Sequence, residues 1–163
     1  MNTVFWIIII ILLAKYISSN KLVKNNKATP KALILTCMDY RFLDDIHKLL
    51  EDNGYNENYN QIVLAGSSLG YNQDKFLEWK KTIDKHIELA VQLHQVTQIV
   101  VIDHMDCGAY KLLYNDPKMS QVKEYKLHIE NLNKIKSILS RTYPKLTVKT
   151  FLIDSNGNNK HIK

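Results

Sequence analysis

Apolar residues along this chain fall into two kinds of pattern. Short unbroken runs at 32–37 (ALILTC), 61–66 (QIVLAG) and 98–103 (QIVVID) read as strands buried on both faces, because a strand with one wet face would alternate. A fourth run at 146–154 (LTVKTFLID) alternates in part and reads as a further strand, followed by an SNGN turn. Between the runs, apolar residues recur at helical spacing. Leu43, Ile46, Leu49 and Leu50 do so in 42–55, with Gly54 as a stop. Phe76, Trp79, Ile83, Ile87, Ala90 and Leu93 form one side of a long helix over 72–96. Val122, Tyr125, Ile129, Leu132, Ile135 and Leu139 form the stripe of another over 120–143, which Ser120 can cap. Strand and helix alternate throughout. The pattern predicts an α/β domain with a central, mainly parallel four-stranded sheet flanked by helices. In such sheets ligands bind beyond the carboxyl ends of the strands.

The N-terminus departs from this pattern. Residues 4–14 (VFWIIIIILLA) are apolar without a break. As a helix they would span roughly 16 Å, short of the ~30 Å hydrocarbon core. Extension to Ile17, with Lys15 reaching the headgroups, gives a marginal span. The expectation is an N-terminal hydrophobic segment over 1–17 and a polar basic linker over 18–30, ahead of a folded domain at 31–163. A cleaved secretory signal is the alternative for 1–17. The basic flank follows the apolar run, which places the domain on the cytosolic side of a membrane. The absence of an Asn-x-Ser/Thr sequon also leans away from secretion.

The net charge of +6 belongs largely to that tail. Lys15, Lys21, Lys24, Lys27 and Lys31 lie in a stretch up to residue 38 that holds no acid, and the rest of the chain is nearly neutral. The folded part therefore lacks the clustered basic surface that nucleic-acid binding needs. The 163 residues, 45% hydrophobic with five Gly and three Pro, suit one domain with a real core.

The candidate chemistry sits at strand ends. Cys37 closes the first strand and is followed by Asp39 and Arg41; His104 and Cys107 follow directly on the third. The chain has two cysteines in all. A disulfide is disfavoured in a cytosolic domain, and two inert buried thiols are a common arrangement. Two thiolates and an imidazole also make a good zinc set, with a fourth position left for water. A Cys-x5-Arg phosphatase loop is excluded, because position 43 is Leu43. AGSSLG at 65–70 lacks the Lys-Ser/Thr of a phosphate loop and reads as a tight turn. His47, His86, His94, His128 and His161 read as surface or helix-face residues.

CMDYR at 37–41 and HMDCG at 104–108 resemble the two signatures of the β-class carbonic anhydrases, in the matching strand contexts. The resemblance runs over about 31–160, and the ending FLIDSNGNNKHI is similar to the family's last strand and turn. It implies that Cys37, His104 and Cys107 ligate Zn2+. It implies that Arg41 pins Asp39, which accepts a hydrogen bond from the zinc-activated water or, in some members, binds zinc and shuts the site. The implied reaction is reversible hydration of CO2 to bicarbonate by zinc-bound hydroxide, with no organic cofactor, in a homodimer or larger homo-oligomer. Val63 and Leu64 stand where the family usually carries Arg-Asn. Two other functions fit the same motifs: hydrolysis of a CO2 analogue such as carbon disulfide or carbonyl sulfide, and an inactive zinc-binding scaffold at a membrane.

Overall fold

The fold is taken from a computed structural model of the chain, in which residues 30–56 and 58–162 are described. The hydrophobic segment at 1–17 and nearly all of the linker lie outside the described residues. Among those described, no helix is long and apolar enough to cross a membrane.

Five strands form one sheet in the order β2-β1-β3-β4-β5: β1 (Ala32–Thr36), β2 (Tyr59–Val63), β3 (Gln98–His104), β4 (Thr147–Ile153) and β5 (Asn159–Ile162). The first four are parallel, with Thr36 paired to both Val63 and Ile102. β5 runs antiparallel to β4. The four-stranded expectation is thus one strand short. The SNGN turn reverses the chain through Gly157 (φ +81°), and Asn159–Ile162 return along β4. The polar NKH sequence hides this strand, because it lies on an edge and buries only Ile162.

The helices are α1 (Leu43–Asp52), α2 (Ser68–Asn72), α3 (Leu77–His94), α4 (Gly108–Leu113) and α5 (Gln121–Thr142). Both sheet faces are covered, which is why the strands carry continuous apolar runs. On one face Ala32, Ile34, Val100, Ile102, Phe151 and Ile153 pack with Ile46, Leu49 and Leu50 of α1. On the other, Leu33, Leu35, Ile99, Val101 and Leu152 pack with residues of α3 and α5, among them Ile87 and Ile135. Alternate residues of each strand serve opposite cores.

Several boundaries differ from the sequence reading. The second strand lies at Tyr59–Val63, and 64–67 form a turn instead of its end. The single helix expected over 72–96 is α2, a 3-10 turn at Asp74–Phe76, and α3. Leu43 and Leu93, expected on buried stripes, are exposed. In α5 the stripe holds at Leu132, Ile135 and Leu139, but Val122 is 68% exposed. Glu124, His128 and Asn131 turn inward in its N-terminal half. His128, read as a surface or helix-face residue, is fully buried.

β1 connects to β2 on one side, and the chain then crosses back to β3 on the other. The two neighbours β1 and β3 therefore leave the sheet in opposite lateral directions, which opens a crevice at their carboxyl ends. Cys37 and His104 lie at that crevice.

Candidate metal centre

Cys37, His104 and Cys107 are all buried, and their ligand atoms lie within 4.8 Å of one another. The two sulfurs are 4.0 Å apart, and both cysteines are free. β1 ends at Thr36, which places the Cys37 sulfur just past the strand. β3 carries His104 as its last residue. Cys107 is the N-cap of α4, three residues on, because Asp106 takes a left-handed conformation (φ 58°) that turns the chain back.

The histidine is aimed. Its Nδ1 lies 2.8 Å from the Met105 carbonyl, to which an Nδ1–H donates. That bond fixes the tautomer and leaves the Nε2 lone pair for another partner. Nε2 is buried without any hydrogen-bond partner, an arrangement that costs free energy unless something binds there. The ring stacks on Phe42, with centroids 4.2 Å apart. Two sulfurs and one orphaned imidazole nitrogen, converging from two strand ends, fit a thiophilic divalent metal such as zinc.

The sulfurs are electrostatically unequal. Cys107 donating to Cys37 pulls the Cys37 thiol down to about 4, helped by His104 and by the Gly66 N–H at 3.4 Å, against the effect of burial. The Cys37 thiolate and burial push Cys107 up. Burial alone would lower His104, but Cys37 and the Met105 carbonyl outweigh it and raise it.

Asp39 and Arg41 are a bidentate pair. Arg41 Nε donates to Asp39 Oδ1 at 3.0 Å, Nη2 donates to Oδ2 at 2.7 Å, and the Arg41 backbone N–H reaches Oδ1 at 3.1 Å. Arg41 holds the Asp39 carboxyl down to about 2. Asp39 Oδ2 faces His104 Nε2 at 4.0 Å. Asp106, between the two ligands on the third strand's loop, accepts from Arg41 Nη1 at 2.8 Å and pairs with Lys111. Arg41 thus joins the β1 loop to the β3 loop.

A cleft of about 520 Å³ opens onto the sulfurs and Asp39, with Ala65, Ala109 and Leu112 among its mostly apolar walls. Val63, at the end of β2, is 55% exposed. Leu64 packs over Gly70, where an added Cβ would meet its Cδ2 at 2.7 Å. Val63 and Leu64 therefore serve an open edge of the sheet and the packing of α2, and neither lines this cleft.

Comparison with known proteins gives the family. Residues 27–163 match a family model described as "Putative carbonic anhydrase". The chain belongs to that family. It is 37% identical to an uncharacterised protein of Rickettsia conorii over 142 residues, 86% of this chain and 75% of the relative. Among solved structures it is similar in fold to a carbonic anhydrase of Streptococcus mutans (TM-score 0.56, 15% identity, 100% and 99% of the two chains). It is also similar to a β-carbonic anhydrase of Trichomonas vaginalis (TM-score 0.55, 15% identity, 99% and 98%). An apo carbon disulfide hydrolase shares the fold too (TM-score 0.51, 15% identity, 94% and 90%). At these identities the structures speak for the fold, and the β-carbonic-anhydrase-like family is the frame for the site.

The sequence reading missed Asp103, Glu124, His128, Ser68 and Tyr110. All five are buried directly behind the three ligand candidates. One signal was present: an acid at 103 directly after the apolar run 99–102, inside a strand buried on both faces.

Proposed function

We propose that the chain is a zinc enzyme that interconverts CO2 and bicarbonate, with Cys37, His104 and Cys107 holding the metal and Asp39 and Arg41 serving the reaction. The observation that carries this reading is the orphaned, buried Nε2 of His104 beside two converging sulfurs and an arginine-locked carboxylate. A zinc ion there would supply a Lewis acid that makes water nucleophilic near neutrality.

The chain's own residues supply the rest. Asp39 is ionised across the physiological range and has no proton to give, so it acts as a hydrogen-bond acceptor that orients the attacking water. Arg41 prevents that carboxylate from rotating toward the ligand cluster, because both of its oxygens are already engaged. This supports an open site over the shut form in which Asp39 would be a ligand. The apolar walls around Ala65, Ala109 and Leu112 suit a small uncharged linear substrate. Water adds to its carbon, and one proton leaves to solvent or buffer as bicarbonate forms.

Carbon disulfide is a second substrate to assay, since one structural neighbour hydrolyses it and the cleft is apolar. Homo-oligomerisation is a proposal of the same standing. Met38, Tyr40 and Leu112 form an exposed apolar rim near the cleft, and a structural neighbour from Sordaria macrospora is described as tetrameric; light scattering of the purified chain tests it. Membrane attachment through residues 4–17, with the domain in the cytosol, rests on the apolar run alone, and recovery of the full chain in the soluble fraction would remove it.

The deciding experiment measures zinc per chain and CO2 hydration by stopped flow on one preparation of the full chain. Zinc with hydration supports the proposal. A chain without zinc overturns it, and zinc without hydration of CO2 or carbon disulfide leaves a metal-binding scaffold.

A further inference from the structure

Behind the three ligand candidates lies a polar cluster that no reaction step uses. Asp103, Glu124 and His128 are each at most 2% exposed, as are Ser68 and Tyr110. Burying such groups is costly unless they are paired, and here each pairing leads back to the metal centre.

Asp103 is the hub. Its Oδ1 accepts the Ser68 backbone N–H at 3.0 Å. Its Oδ2 accepts the Ser68 hydroxyl at 2.5 Å, the Tyr110 hydroxyl at 2.8 Å and His128 Nδ1–H at 2.9 Å. Ser68 follows two successive left-handed residues, Gly66 (φ 74°) and Ser67 (φ 45°). A serine held there is strained and needs its surroundings to keep it in place. The same turn presents the Gly66 N–H to the Cys37 sulfur. On the other side, Glu124 Oε1 accepts the Cys107 backbone N–H at 2.7 Å. His128 lies between the two carboxylates: its Nδ1 is bonded to Asp103, its Nε2 has no hydrogen-bond partner and sits 3.8 Å from Glu124, and its ring is 3.8 Å from that of Tyr110. Asp103 is also the residue before His104. Every ligand-bearing segment is therefore tied to this cluster.

We propose that Glu124, Asp103 and His128 are positioning residues for the metal: Glu124 holds Cys107, Asp103 holds the turn that hydrogen-bonds Cys37, and His128 couples the two carboxylates. The proposal rests on the metal reading above. It differs from a role in general stability, because the interactions converge on ligand geometry. Partners one step behind metal ligands typically change metal affinity about 10–100-fold when removed.

The test uses the full chain, Co2+ as the probe, chelator competition for affinity, and absorption spectra for ligand geometry. Thermal unfolding of the metal-free protein runs alongside. Glu124→Ala should weaken Co2+ binding about 10–100-fold and shift the thiolate-to-cobalt band. Glu124→Gln keeps an oxygen acceptor for the Cys107 N–H and should restore affinity and spectrum. Tyr110→Phe keeps the ring, removes one donor to Asp103, and should weaken binding by a smaller factor. It carries the test if Glu124→Ala fails to fold. Thr150→Val is the control, since Thr150 is equally buried and donates to the Ile162 carbonyl at the far edge. It should lower the unfolding temperature and leave Co2+ binding unchanged. Wild-type affinity and spectrum in Tyr110→Phe and in any folded Glu124→Ala would overturn the inference. So would a Thr150→Val that loses affinity in step with its stability. A wild-type chain that takes up no Co2+ overturns the metal reading itself.

Discussion

Cys37 and Cys107 have the same side chain and opposite proton affinities, which makes metal uptake a proton-releasing event. In the metal-free protein Cys37 is a thiolate at neutral pH, while Cys107 keeps its proton and His104 is biased toward holding one. A metal requires all three to be deprotonated. Zinc binding near pH 7 should therefore release about one to two protons, chiefly from Cys107 and His104. Affinity should rise as pH rises through neutrality. Calorimetry in buffers of different ionisation enthalpy reads the number, and a pH-independent affinity would remove the assignment. Substitutions separate the roles. Cys107→Ser should abolish stoichiometric zinc. Asp39→Asn should retain zinc, since Asp39 is not in the ligand cluster, and lose turnover about a hundredfold or more. Zinc content and stopped-flow rates on the same samples check both. At this scale Cys37, Asp39, Arg41, His104 and Cys107 were all legible, because two short motifs carry them. Asp103, Glu124 and His128 were not, because a search for apolar periodicity passes over polar residues that face inward.

Elements decide whether those residues meet. The turn at 64–67 and the short α2 carry the Gly66 N–H to Cys37, and α2 packs against α5. Gly70 permits this approach: a Cβ there would lie 2.7 Å from the Ala65 carbonyl oxygen and 2.7 Å from Leu64 Cδ2. Backbone cannot yield as a flexible side chain can, so Gly70→Ala should cost about 1–3 kcal/mol. Gly108→Ala is the matched comparison, since nothing lies within 4 Å of its added Cβ; it should leave the denaturant midpoint nearly unchanged. Equal midpoints for the two variants would contradict this account of α2. Continuous apolar runs correctly identified three of the four parallel strands, and a partly alternating run identified the fourth, β4. The continuous runs located the second strand two residues late, because Leu64 and Ala65 extend its apolar run but are half-buried in the turn, where Leu64 packs by Gly70 of α2 and Ala65 lines the cleft. The α5 stripe failed at Val122 and Tyr125 for a related reason. Its N-terminal half packs against the metal-site cluster, whose neighbours are polar, and only its C-terminal half packs on the sheet.

For the whole molecule, metal binding and folding are linked. The three ligand candidates come from two strand ends and a helix cap, which converge only in the folded chain, so the metal should favour the native state. With free zinc at about a hundred times its dissociation constant, the gain is about 2.7 kcal/mol. In a chain of this size, chelation should then lower the unfolding temperature by about 5–10 °C. Scanning calorimetry with and without chelator measures it, and an unchanged midpoint would mean that no metal is bound natively. The sequence by itself determined the order of the four parallel strands and the three long helices and the residue types at two strand ends, because local periodicity and short motifs need no distant partner. Only the tertiary structure decided that β5 pairs back onto β4, that His104 Nε2 is left without a hydrogen-bond partner, and that a polar half of α5 stands behind the sulfurs. Each of these depends on which side chains arrive from elsewhere in the chain, and burial, pairing and desolvation are properties of that meeting.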